Sequence, residues 1–160
     1  MGQVGEPAQA QNRVNRRTPQ PEGWGMGRDE QARMPLYHVW FATKRRKWLL
    51  QGDVSEAAKE SLWAVAKEKD IGLLECETIV DHVHLLVSAE DRTGLSKAMN
   101  LLKGVSSRRI LQMFPDVRLD AGVGAFWQHR YAAKPVSEPA AATVGEYIRT
   151  QWDRLENYER

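Results

Sequence analysis

The sequence predicts an α+β domain whose elements run β-α-β-β-α-β with one further helix at the end, and three observations carry that prediction. A dense aromatic and β-branched run, Leu36-Tyr37-His38-Val39-Trp40-Phe41-Ala42-Thr43, begins abruptly after Pro35 and reads as a first strand. Two long stretches repeat apolar residues at helical spacing. Between them, two short strand-like runs meet around Asp81 as a hairpin. This order is a ferredoxin-like layout, with helices covering one face of an antiparallel sheet.

Each element has its own signal. After the basic turn Lys44-Arg45-Arg46-Lys47, residues Val54, Ala57, Ala58, Leu62, Val65 and Ala66 give an amphipathic helix from Asp53 to Lys69. Asp53 or Ser55 is its candidate cap and Gly72 its stop. Leu73 to Ile79 and His82 to Val87 read as the two hairpin strands. Past the turn Asp91-Arg92-Thr93-Gly94, the stripe Leu95, Met99, Leu102, Val105 and Ile110 marks a second helix that ends before Pro115. Phe126 to Ala133 suggests the fourth strand, and Pro135 to Pro139 a loop. The last helix runs from Thr143 to about Tyr158, with Thr143 and Glu146 spaced as a capping box.

The 160 residues suffice for one compact domain, and the single Cys76 cannot form an intramolecular bridge. No apolar run approaches the roughly 18 residues that span a bilayer, and no signal-peptide core is present, so no membrane association and a cytoplasmic location are expected. Residues 1–35, rich in Gly, Gln, Pro and Arg, read as a disordered N-terminal extension, and residues 36–160 as the functional domain. A net charge of +2 from 23 basic and 21 acidic side chains does not identify a nucleic-acid partner. Clustering says more. Lys44 to Lys47 and Arg108-Arg109 are dense basic patches that suit backbone phosphates and suit solvated surface equally.

The chemistry is concentrated in two short motifs. Asp81-His82-Val83-His84-Leu85-Leu86-Val87 places two imidazoles at i and i+2 of a strand, hence on one face, as a rigid metal half-site. Glu146-Tyr147-Ile148-Arg149-Thr150-Gln151 places a tyrosine and an oxygen ligand four residues apart on one helix face. Either motif alone reads more readily as structural. Together they suggest a nucleophile beside a metal.

These residues resemble the single-tyrosine HUH transposases of insertion-sequence family 200/605, including the repeat-associated tyrosine transposases. The likeness runs from about Leu36 to Gln151. It rests on Tyr37-His38-Val39-Trp40 with Thr43-Lys44-Arg45-Arg46, on His82-Val83-His84, on Leu102-Lys103-Gly104 with Ser106-Ser107, on Trp127 to Tyr131, and on Tyr147 to Gln151. Arg130 stands where many relatives have glycine. The resemblance implies Tyr147 as nucleophile and His82, His84 and Gln151 as metal ligands. It also implies a 5′-phosphotyrosine on single-stranded hairpin DNA, and leaves open two assemblies: a homodimer in which the tyrosine helix completes a partner's site, and a monomer with a self-contained site.

Imidazole and amide ligands that leave room for phosphate and water suit Mg²⁺ or Mn²⁺ better than a closed zinc site. The phenol, with an ordinary pKa near 10, needs a proton acceptor or a cation's field to attack. Lys44, Arg45, Arg46, Lys103, Ser106, Ser107, Arg108 and Arg109 are candidate DNA contacts, with a solvated helix end as the equal alternative for the last four. Trp40, Trp48, Trp63, Trp127 and Trp152 are candidates for base stacking or for core, and His38 and His129 for structure or DNA contact. Two other functions fit the pattern: a domesticated hairpin-DNA-binding regulator, and a metal-dependent phosphoesterase with a water nucleophile.

Overall fold

The computed structural model describes residues 34–121 and 125–151, with the side chains of residues 119–121 left out. The expected extension over 1–35 falls almost wholly outside these residues, as does the last helix beyond 151. Strand β1 is Leu36–Ala42, helix α1 Gly52–Glu68, β2 Gly72–Ile79, β3 His82–Ser88, α2 Arg92–Met113, α3 Pro115–Ala121, β4 Ala132–Val136 and α4 Ala141–Arg149. The strands form one antiparallel sheet in the order β2-β3-β1-β4, the predicted ferredoxin-like topology.

Strand alternation divides the sheet into two unlike faces. Tyr37, Val39 and Phe41 of β1 and Val83, Leu85 and Val87 of β3 join the core beneath α1 and α2. The helices supply Ala58, Leu62, Val65, Leu95, Met99, Leu102 and Ile110 to that core, each fully buried. Burying a side chain of this size contributes about 1.5–3 kcal/mol, which makes this layer a firm base for whatever the other face carries. That other face holds His38, Trp40, His82 and His84, which face one another through the β1–β3 register Trp40↔His84 and Ala42↔His82. Helix α4 packs against it through a smaller cluster of Ile148 with Leu36 and Leu86. The sheet is therefore covered on both faces, and the tyrosine helix lies on the histidine side.

Several local expectations need correction. Helix α1 starts at Gly52 without a side-chain cap. Ser55 Oγ lies 2.5 Å from Thr78 Oγ1, tying the helix to β2 instead. The stop is Asp70 in the left-handed region (φ 56°), with Ile71 N donating to Ala66 O at 2.8 Å, so Gly72 opens the next strand. The fourth strand is Ala132–Val136, later than 126–133, because Phe126 is buried in the core and Trp127 makes only an isolated bridge to Thr43. Pro135 belongs to this strand. It is tolerated there because β4 is an edge, bonded to β1 alone. The Thr143–Glu146 capping box does not form: α4 begins at Ala141, and Glu146 Oε1 accepts from Arg149 Nη2 at 2.7 Å. The turn expected before the second helix supplies its cap, Asp91 Oδ1 accepting from Gly94 N at 2.8 Å. Among the described residues, no helix is long and apolar enough to cross a membrane.

Candidate active site

The two histidines of β3 are each oriented from behind. His82 Nδ1 lies 2.8 Å from Asp81 Oδ1, and Asp81 Oδ2 lies 3.4 Å from Arg46 Nε. His84 Nδ1 lies 2.9 Å from His38 Nε2 of the neighbouring strand. With Nδ1 engaged on each ring, Nε2 is the nitrogen left to bind a cation, an arrangement that fixes ring orientation and basicity at metal centres. Burial, helped by the charges of His82 and His38, holds His84 down at about 3, and burial followed by Lys134 lowers His38. Both rings are therefore neutral at pH 7. If His84 Nδ1–H donates to His38 Nε2, the lone pair of His84 Nε2 is free for a metal.

The turn that sets this geometry is strained. Val80, a β-branched residue, has φ 49°, a conformation that costs on the order of 1–3 kcal/mol. Neighbouring backbone clamps it: Leu50 N donates to Val80 O at 2.8 Å and Thr43 N to Asp81 O at 2.9 Å. The clamp fixes where Asp81 and His82 stand.

Helix α4 brings the second motif to the same place. The Tyr147 ring stands edge-on to the rings of His38 and His84, with centroids 5.9 Å from each, and Tyr147 is 37% exposed. Gln151 is buried, and its Nε2 donates to Tyr147 O at 2.8 Å, which leaves Oε1 as its ligand atom. Arg149 Nη1 anchors the helix to Glu75 of β2 at 2.6 Å. His82, His84, Tyr147 and Gln151 thus line one cavity of about 560 Å³ within a single chain. Among the described residues, no three His, Cys, Asp or Glu side chains are grouped to hold a metal. Two imidazoles with Gln151 Oε1 are the donor set that the described residues of this face offer a cation.

The predicted DNA contacts separate into two groups. Lys44, Arg45 and Arg46 form a 3-10 turn in which Arg45 and Arg46 adopt φ 59° and 55°, and Arg46 lines the cavity. Arg108 is exposed. The other four belong to the scaffold. Lys103 Nζ donates to the carbonyls of His129 and Arg130 at 2.9 and 3.0 Å, and burial pushes it down to about 8. Ser106 Oγ accepts from Trp127 Nε1 at 2.9 Å, and Ser107 Oγ accepts from Phe126 N at 2.8 Å. Arg109 makes a paired hydrogen bond to Glu68 at 2.7 and 3.1 Å, linking α2 to α1. Trp63 and Trp127 are core, whereas Trp40 lines the cavity and Trp48 is 73% exposed. Trp152 lies outside the described residues. Gln128, Arg130 and Tyr131 also line the cavity, and neither they nor His38 and Asp81 stood out in the sequence as parts of a catalytic site.

The depressed His84 gives a stability prediction. Its folded value near 3 lies below the ordinary 6.5, so between those values the unfolded chain holds a proton that the folded chain refuses. Stability is full above 6.5 and falls as pH drops through that window, by up to about 1.4 kcal/mol per pH unit. Thermal melts from pH 7 to pH 4 should show the decline, and His84→Asn should flatten it; an equal slope in that variant would assign the loss to other groups.

Comparisons with known proteins identify the family of the chain. The sequence model of the family described as "Transposase IS200 like" matches residues 33–151. The ISDra2 transposase TnpA of Deinococcus radiodurans is 31% identical over 118 residues, covering 74% of this chain and 84% of that protein. The transposase for insertion sequence element IS200 of Salmonella typhimurium is 30% identical over 115 residues, covering 72% of this chain and 75% of that one. Among solved structures, a Deinococcus radiodurans protein assigned as a transposase aligns with a TM-score of 0.58 and 32% identity over 72% of this chain and 89% of its own. A REP-associated tyrosine transposase bound to a REP hairpin shares the fold, with a TM-score of 0.50 and 13% identity over 71% of this chain and 64% of its own. The chain belongs to the IS200-like transposase family. Its activity is accordingly that of a DNA transposase.

Proposed function

We propose that this transposase cleaves and rejoins single-stranded DNA at hairpin-bearing ends, with Tyr147 as nucleophile and a divalent cation held by His82, His84 and Gln151. The observation that supports it most is the Tyr147 ring lying edge-on to His38 and His84, 5.9 Å between centroids, one helical turn from Gln151. Hairpin DNA as the substrate class is supported by the fold-related transposase bound to a REP hairpin.

In the first step the Tyr147 oxygen attacks the scissile phosphorus. The bond from phosphorus to the 3′ oxygen breaks, the phenolic proton leaves, and the departing 3′ oxygen takes up a proton. The product is a 5′-phosphotyrosine and a free 3′-hydroxyl. In the second step a 3′-hydroxyl attacks that phosphotyrosine and releases Tyr147, so no ATP is consumed and water is not the acceptor. A cation bound at the two imidazoles and the amide would offset the phosphate's negative charge, which otherwise repels the nucleophile. The chain's own residues do the positioning. Asp81 and His38 orient the two imidazoles, Arg46 adds positive charge at the cavity wall, and Arg149 with Glu75 fixes the helix that carries the phenol.

Donor chemistry favours Mn²⁺ over Mg²⁺, because imidazole binds the softer ion better. Strand transfer is the test. Protein is incubated with a labelled hairpin strand, then with a second strand ending in a 3′-hydroxyl. A joined product that forms with Mn²⁺ and vanishes on chelation is expected. Cleavage to a free 5′-phosphate without joining would point instead to a water nucleophile.

A further inference from the structure

Arg130 is a cation of the active cavity that the fold leaves without a partner. It lines the space shared by His82, His84, Tyr147 and Gln151, it is exposed, and its guanidinium meets no acceptor among the described residues. Resting on the phosphotyrosine reading above, we propose that Arg130 is a further catalytic residue, its guanidinium gripping a non-bridging oxygen of the scissile phosphate, and that Lys103 is the positioning residue that presents it.

Charge is the first argument. Among the described residues that line this cavity there are two arginines and no Asp or Glu, so the wall accepts an anion. Arg46 engages Asp81 through Nε at 3.4 Å, which offsets part of its charge. Nothing described offsets Arg130 in the same way. A guanidinium presents paired N–H donors that match phosphate oxygens. As the Tyr147 oxygen adds to phosphorus, negative charge concentrates on the non-bridging oxygens, and a donor already in place favours that state over the resting diester. Mounting is the second argument. The main chain that carries Arg130 is held on both sides: Gln128 N donates to Ala42 O at 2.8 Å before it, and Ala132 pairs with Trp40 at the start of β4 after it. Between these points Lys103 Nζ reaches across from α2 and donates to the carbonyls of His129 and Arg130 at 2.9 and 3.0 Å, its ammonium standing 5.8 Å from the centroid of the Tyr131 ring. The ammonium thus fixes the backbone at residue 130, while the guanidinium keeps its own donors for a ligand. A fixed mount with free donors is what preorganised electrostatic stabilisation requires.

The test uses full-length protein and a hairpin oligonucleotide with its single-stranded flanks, taken from DNA beside the gene, with one uncharged methylphosphonate placed at each flank linkage in turn. Affinity is read in Tyr147→Phe protein with chelator present, so that neither cleavage nor a metal contributes. At the linkage that the parent cuts, loss of the charge should weaken binding about 10-fold, and Arg130→Gln, a change to an exposed side chain, should erase that penalty there alone. With Tyr147 intact, Mn²⁺ present and phosphodiester DNA saturating, Arg130→Gln should slow adduct formation about 10²-fold and leave the Mn²⁺ affinity of the free protein unchanged, and Arg130→Lys should recover part of the rate. Lys103→Met should slow the same step about 10-fold in the parent and not at all in Arg130→Gln, because it acts through that guanidinium. A charge penalty that survives Arg130→Gln at the cut linkage, or an undiminished rate of adduct formation in that variant, would overturn the catalytic role. Equal slowing by Lys103→Met in both backgrounds would overturn the positioning role. Failure of the phosphotyrosine reading would register elsewhere, as a missing adduct in the parent, while the linkage scan still reads Arg130 by the loss of one linkage's penalty.

Discussion

Tyr147→Phe is expected to abolish the covalent protein–DNA adduct and to lower strand cleavage by at least about 10³-fold, while DNA affinity stays within a few-fold of the parent. The substitution removes a single oxygen. The ring keeps its edge-on position against His38 and His84, and α4 remains docked through Ile148 and the Arg149–Glu75 ion pair, so the fold is undisturbed. Because the exposed phenol contributes little to the core, melting temperature should hardly change. Denaturing gels of labelled hairpin DNA with the parent and the variant give the comparison directly. Retention of adduct by the variant would move the nucleophile to another side chain, and undiminished cleavage without adduct would make water the attacking group.

His84→Ala should have the next largest effect, removing metal-dependent cleavage by about 10³-fold and eliminating calorimetrically measurable Mn²⁺ binding. His84 is buried, neutral at pH 7 and held through Nδ1 by His38, so its loss deletes one of the two imidazoles proposed to hold the cation. A graded series sharpens the point. Asp81→Asn touches no substrate in this account and reaches the cation through His82 Nδ1, beside its ion pair with Arg46, so it should weaken Mn²⁺ binding by about 10–100-fold and be rescued by excess metal. His84→Ala should resist rescue. Equal Mn²⁺ affinity in the parent and both variants would place the cation elsewhere.

Much of this site was legible before any coordinates. The i, i+2 rule puts His82 and His84 on one face, and the i, i+4 rule does the same for Tyr147 and Gln151. The illegible parts depend on which segments become neighbours. His38 orients His84 only because β1 pairs with β3 in the register His38↔Leu86, Trp40↔His84, and a strand period carries no information about its partner's register. Asp81 read as a turn residue, and its carboxylate matters because the strained Val80 turn is clamped against Thr43 and Leu50. Lys103, Ser106, Ser107 and Arg109 looked like phosphate contacts by residue type. Folding instead gives each an internal partner: two backbone carbonyls, Trp127, Phe126 and Glu68. The fourth strand was placed too early because proline reads as a breaker, and only the sheet order reveals that Pro135 sits on an edge strand, where proline is tolerated. The missing capping box has a similar cause: Glu146 bonds Arg149, which also holds Glu75, a tertiary partner that outweighs a local cap.

The central claim is that the phosphorus of the cleaved strand becomes bonded to one phenol. The most direct measurement is mass spectrometry of the protein after incubation with hairpin DNA and Mn²⁺, followed by nuclease trimming and proteolysis. The account predicts a nucleotide adduct on the peptide containing Tyr147, absent when the metal is chelated. An adduct on any other residue, or cleaved DNA with every peptide unmodified, would contradict it.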